Sequence, residues 1–244
     1  MERIHLEGVG KRYCKLQGAG LLFHWQSWKN PSDPYWFWAL SDVSFRVSAG
    51  SWLGLIGPNG SGKTTLLRIL AGVTQPTCGS VTVHGRVVSI LELFSAMQPS
   101  FTGRENIYFY GALLGMRRRE ITKKLDAIVS FAGIGDFLDM ATRHYSSGMT
   151  MRLGFSMATH VNAEIVLVDE AWSIGDAEFF SRSMRHLNSM ARHGTTLILV
   201  SHELDLIRQC TQQVLWLQHG RIVSAGPTAD VISAYQKSVQ PEEV

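Results

Sequence analysis

Residues 57–64 read Gly-Pro-Asn-Gly-Ser-Gly-Lys-Thr, a full match to G-x-x-x-x-G-K-[ST]. Gly57, Gly60 and Gly62 let the backbone curl, so that the N–H groups around Pro58, Asn59 and Ser61 can face phosphate oxygens. Lys63 is long enough to reach the β- and γ-phosphates of a nucleoside triphosphate. The Thr64 hydroxyl is a hard ligand suited to magnesium, and Thr65 completes the loop. A second constellation is the apolar run Ile165-Val-Leu-Val followed by Asp169 and Glu170. Here Asp169 would hold the metal, while Glu170 would orient an attacking water and accept its proton. Two adjacent carboxylates raise one another's pKa, an effect that a bound cation offsets. The third element is the apolar run TLILVS, which ends at His202 and would bring a polar side chain to the γ-phosphate. The expected catalytic set is therefore Lys63, Glu170 and His202.

Such groups act together only if a scaffold delivers them to one edge. The buried-type run WLGLI precedes the glycine loop, and the segment LLRILAG after it predicts a helix that ends at Gly72. The sequence predicts a short strand over Ile4 to Val9, two strands over 40–56, a loop over Gly57 to Thr65, and one strand in SVTVHGRVVSIL. Residues 102–160 have apolar residues at helical spacing. The short runs IVLVD, TLILVS and VLWLQ have strand length, with a helical pattern between the first two. Together they predict an α/β fold whose mostly parallel sheet is buried on both faces, with ligands at the strands' C-terminal ends.

Composition narrows the class. A net charge of +3 over 244 residues, without a basic stripe, argues against a nucleic-acid partner. Cys14, Cys78 and Cys210 lie far apart and form no CxxC pair, which suits a reducing compartment. No apolar run approaches the roughly 18 residues of a membrane span, and the first residues do not read as a signal peptide. A cytosolic protein is expected, unless a partner holds it at a membrane. Arg117, Arg118 and Arg119 read as a solvated turn before the helix EITKKLDAI.

Tyr145-Ser-Ser-Gly-Met149 stands sixteen residues before the strand IVLVDE and resembles the ABC signature usually written LSGGQ. Ser173-Ile-Gly-Asp176 resembles the family's D-loop. On these motifs the chain is identified as a member of the ABC ATPases. The resemblance implies a P-loop NTPase (RecA-like) core with a mostly parallel sheet, covering residues 1–92 and 161–244, plus an ABC helical subdomain over 93–160. It implies ATP and Mg²⁺ as cofactors. It also implies a head-to-tail homodimer in which Ser146, Ser147 and the Gly148 N–H of one subunit cap the ATP of the other, aligned by Asp176. Tyr13 stands where the family has an aromatic that stacks on adenine, with Phe37 and Trp38 as competitors. Glu92 stands at the Q-loop, where glutamine is usual, and would contact the metal or its waters; Gln98 is the alternative. Further departures are Ser147 for a glycine, Met149 for a glutamine, and EAW for the frequent EPT.

Those departures have their own likeness. YSSGM, LEL followed by PSFTGRENI, DEAWSIGDAEF and GRIVSAGPTADVISAY are similar to nucleotide-binding subunits of O-antigen, capsule and teichoic acid exporters. The expectation is a peripheral ATPase at the cytoplasmic face, powering export through a separate permease. Alternatives are an exporter of a drug, peptide or small solute, or a soluble ABC ATPase. The chain ends soon after GRIVSAGP, so no carbohydrate-binding extension is expected. An aromatic insert over 14–39 holds Trp25, Trp28, Trp36 and Trp38, four of the seven tryptophans. It reads as a contact to lipid or permease, or as a loop folded on the domain's own core.

Overall fold

The structure is a computed structural model that describes residues 1–15, 35–90, 96–169 and 176–239. Two long strands, β1 (Glu2–Cys14) and β2 (Trp36–Ser48), open the chain and pair antiparallel. They are followed by β3 (Trp52–Ile56), α1 (Lys63–Leu70), β4 (Cys78–Val83) and β5 (Val87–Ser89). Three helices come next: α2 (Gly103–Leu113), α3 (Arg118–Ala132) and α4 (Ser147–His160). The remainder is β6 (Ile165–Val168), α5 (Ala177–Arg192), β7 (Thr196–Val200), α6 (Leu204–Cys210), β8 (Gln213–Gln218), β9 (Arg221–Pro227) and α7 (Thr228–Val239).

The strands form two sheets, ordered β2-β1-β4 and β5-β6-β7-β3-β8-β9. In the larger sheet every pairing is parallel except β8 with β9. Its central strands are apolar throughout because both faces are covered, and their side chains divide strictly by alternation. Trp52, Val166, Val168, Leu197, Leu199, Val214 and Trp216 enter one hydrophobic cluster, shared with α2 to α7. Leu53, Leu55, Ile165, Leu167, Ile198, Val200, Leu215 and Leu217 enter the other. That second cluster also takes Leu66, Leu67, Ile69 and Leu70 of α1 and Ile4, Leu6, Leu40 and Val43 of the smaller sheet. Helix α1 is thus held between two sheets, which fixes the direction of its N-terminal tip.

Several boundaries differ from the sequence expectation, each for a local reason. Strand β1 runs on past Val9 to Cys14, because register shifts near Gly8 and Gly10 interrupt its alternation without ending the pairing. The expected aromatic insert therefore loses its ends, with Cys14 and Trp36 to Ala39 lying in paired strands. Trp25 and Trp28 lie outside the described residues. SVTVHGRVVSIL is two strands rather than one, and they belong to different sheets. The chain breaks at Gly85, whose φ of 115° an L side chain avoids. Helix α1 starts at Lys63, inside the segment expected to be loop. Arg118 and Arg119 belong to the first turn of α3, while Arg117 is its N-cap. The motif GRIVSAGP contains an antiparallel edge strand, β9.

Candidate functional site

Adjacent parallel strands bring the three chemical elements to one edge. Val168 of β6 pairs with Leu199 of β7, and Val200 pairs with Leu55 of β3. The residues that follow these strands are Asp169, then Ser201 and His202, then the glycine loop. Open α/β sheets bind ligands at this edge. His202 is exposed there.

The loop takes its shape from glycines at positive φ and leads straight into α1. Gly62 has φ 110° and forms the N-cap of α1 without a side-chain hydrogen bond; no acidic residue lies in the helix's first turn. The helix's positive end is thus left open to an anion. A Cβ on Gly62 would lie 2.5 Å from the Ala39 carbonyl oxygen. Gly62→Ala is expected to destabilise the fold by about 1–3 kcal/mol from backbone strain alone. Urea unfolding would read this as a lower midpoint at unchanged slope. Lys63 is buried, and its Nζ donates to the Gly57 and Pro58 carbonyl oxygens at 2.8 and 3.2 Å. The Ser61 hydroxyl is buried and has no hydrogen-bond partner among the described residues.

A cavity of about 630 Å³ opens over this loop, within the range of small-molecule sites. Asn59 to Thr65 and Asp169 line one end, and Tyr13, Phe37 and Trp38 line the other. All three aromatic candidates line the cavity; Tyr13 pairs with Phe37 across β1 and β2, whereas Trp38 pairs with Arg12, whose guanidinium lies 5.9 Å from the Trp38 ring centroid. The Tyr13 and Phe37 rings lie 5.8 Å apart, and Lys11 Nζ lies 5.2 Å from the Tyr13 centroid. Sequence reasoning missed Ala39 and, further along the chain, His219 and Gly220. The signal of the last two was a His-Gly pair between VLWLQ and RIVSA: a two-residue hairpin turn with φ of 47° and 74°.

The serine motif is not part of this cavity. Ser146 is the N-cap of α4, where its Oγ accepts the Met149 N–H at 3.2 Å. Ser146 and Ser147 are exposed, and the first turn of α4 also lacks acids. Asp176 caps α5 by accepting the Phe179 N–H at 2.7 Å. That hydrogen bond, helped by Arg152 of α4 at 3.6 Å, holds the Asp176 carboxyl below its ordinary pKa. Phe155 of α4, Phe179 of α5 and Phe131 of α3 form an aromatic triangle with centroids 5.7 to 6.1 Å apart. At about 0.5–1.5 kcal/mol per pair beyond their buried area, these contacts tie the serine-bearing tip to the capped start of α5.

Gln98 is drawn into a structural knot rather than into the cavity. Its amide donates to the Ala96 carbonyl oxygen, and its backbone is tied to Asn106 in both directions. Asn106, fully buried, also donates to the Phe101 and Thr102 carbonyls and to Thr142 Oγ1, a role that sequence reasoning missed. Glu92, Glu170 and Ser173 to Gly175 lie outside the described residues.

Comparison with known proteins agrees with this geometry. The ABC transporter AbcA of Aeromonas salmonicida is 40% identical over 218 residues, which is 89% of this chain and 71% of that protein. The O-antigen export system ATP-binding protein RfbB of Klebsiella pneumoniae is 39% identical over 201 residues, 82% of each. A solved ATP-binding subunit of an ABC transporter superposes with a TM-score of 0.78, covering 98% of this chain and 95% of that one. At 18% identity it speaks to the fold alone. The ABC transporter family profile matches residues 40–173, from within β2 to the segment after Asp169. By this match and those relatives, the chain belongs to the ABC transporter family.

Proposed function

We propose that this chain is the ATP-binding and ATP-hydrolysing subunit of an exporter for lipid-linked polysaccharide of the O-antigen, capsule or teichoic acid type. It works at the cytoplasmic face of the membrane, beneath a separate permease. The observation that carries the reading is the single cavity joining an aromatic wall to an open helix tip, Lys63 and Asp169. Adenine stacks on Tyr13 or its neighbours Phe37 and Trp38, and the phosphates lie on the loop from Gly57 to Thr65. Lys63 turns from its loop carbonyls to the β- and γ-phosphate oxygens. The orphaned Ser61 hydroxyl supports a loop that closes on an anion.

Thr64 and Asp169 line the same end of the cavity and offer a hydroxyl and a carboxylate. This hard-oxygen pair fits magnesium, which usually takes one or two protein ligands and completes its shell with phosphates and waters. Those two residues, with Glu92, would hold the ion; when bound, it neutralises charge on the phosphate oxygens. Glu170 orients the water and takes its proton on a carboxylate oxygen, and His202 holds the γ-phosphate from the next strand. The core comprises residues 1–92 and 161–244, and residues 93–160 form the helical subdomain. Because Ser146, Ser147 and Gly148 do not line their own chain's cavity, they cap the ATP of a second copy in a head-to-tail homodimer, with Asp176 at the seam.

The relatives' printed roles support the polysaccharide cargo. The test is reconstitution of the purified chain with its permease in vesicles that contain lipid-linked polysaccharide. Expected is magnesium-dependent phosphate release that rises severalfold with that lipid. Stimulation only by a drug, peptide or small solute would reassign the cargo. Absence of ATP hydrolysis in every arm would refute the catalytic reading.

A further inference from the structure

The β8–β9 turn is built into the cavity wall at one definable point. Gly220 N–H donates to the Ser61 carbonyl at 2.9 Å, and the Gly220 carbonyl accepts the Ser41 N–H at 2.8 Å. The turn is therefore bonded to the glycine loop on one side and to β2 on the other. A Cβ on Gly220 would lie 2.7 Å from the Ala39 carbonyl oxygen, the same oxygen that a Cβ on Gly62 would strike at 2.5 Å. Ala39, Gly62 and Gly220 thus meet where the aromatic wall passes into the phosphate loop. His219 precedes Gly220, is exposed and lines the cavity. Its φ of 47° places a non-glycine residue in the left-handed region that the turn demands.

A nucleotide with its base on the aromatic wall and its phosphates on the loop must lay its sugar across this junction. We propose that His219 is a nucleotide contact whose imidazole hydrogen-bonds the sugar hydroxyls of the bound nucleotide. The proposal rests on the nucleotide reading of the cavity and adds a contact from a part of the chain that none of the phosphate or metal motifs includes. A purely structural role for the turn makes the opposite demand. Asn-Gly is the preferred pair for a two-residue turn with both φ positive, so asparagine at 219 preserves the backbone. Its side chain is shorter and lacks the imidazole.

The experiment is calorimetric titration of the full chain with ATP, ADP and inorganic tripolyphosphate in the presence of magnesium, comparing wild type with His219→Asn. Expected is a rise of about five- to tenfold in the Kd of ATP and of ADP, as for loss of one hydrogen bond. Tripolyphosphate affinity and the thermal midpoint should stay unchanged. Unchanged nucleotide Kd values overturn the proposal. Equal weakening of tripolyphosphate also overturns it, since His219 would then act on the phosphate tail. If wild type binds ATP and only His219→Asn fails to respond, the nucleotide reading of the cavity survives. If wild type binds none of the three probes, that reading fails as well.

Discussion

Replacing Lys63 with alanine is expected to lower ATP turnover by about two to three orders of magnitude, the loss typical of removing one preorganised electrostatic donor. The chain should stay folded. In the structure Lys63 Nζ donates to two loop carbonyls, those of Gly57 and Pro58, at the base of the glycine loop. Truncation leaves the buried Gly57 carbonyl without this donor, at a cost of about 1–3 kcal/mol in stability. What disappears is a buried cation within the loop proposed to hold the β- and γ-phosphates. The loop N–H groups and the open tip of α1 remain, so ADP binding should weaken far less than turnover falls. Steady-state phosphate release and ADP calorimetry, run beside a thermal melt, separate the three effects. Turnover within a factor of two of wild type would remove Lys63 from the mechanism.

Much of this site was legible in the sequence, because its chemistry lies in contiguous runs. The glycine loop, its flanking strand β3 and helix α1, and the apolar strands that end at Asp169 and His202 each carry their own local signature. Parallel strands buried on both faces need no partner in sequence to be recognised: unbroken runs such as IVLV and TLILV suffice. What stayed hidden was built from pairings between distant segments. Strand β1 continues to Cys14 only because β2 and β4 hold it through its glycine irregularities. Gly85 divides one apparent strand between two sheets. His219 and Gly220 join the cavity because the β8–β9 turn bonds to Ser61 and Ser41, contacts that span more than 150 residues of sequence. Asn106 was illegible for the same reason: a buried amide that organises four acceptors looks, in one dimension, like any polar helix residue. Tyr13, Phe37 and Trp38 all line the cavity.

The second large effect concerns the exposed tip of α4. Gly148→Asp should leave the fold as stable as wild type, or slightly more so. A Cβ there meets nothing nearer than Ser146 Oγ at 4.0 Å, and the first turn of α4 has no acid. An aspartate in that turn favours the helix by about 0.3–1 kcal/mol, and loss of a helical glycine adds to the gain. Yet the same carboxylate would face the γ-phosphate of the nucleotide bound by a second copy. Like charges brought together there cost several kcal/mol, so turnover should fall by about a hundredfold or more. A variant that is more stable and nearly inactive is hard to explain if α4 ends in an ordinary solvated cap. Mixing gives the sharper readout. In a two-fold dimer with head-to-tail sites, a Lys63→Ala protomer joined to a Gly148→Asp protomer gathers both lesions in one site and leaves the other intact. Equal mixtures should therefore recover roughly a quarter of wild-type turnover if the sites act independently, since half the dimers are mixed and each keeps one good site. The double variant Lys63→Ala/Gly148→Asp, mixed with either single variant, should recover nothing. Sites built within one chain predict no recovery in any mixture, and that result would dismiss the shared-site arrangement.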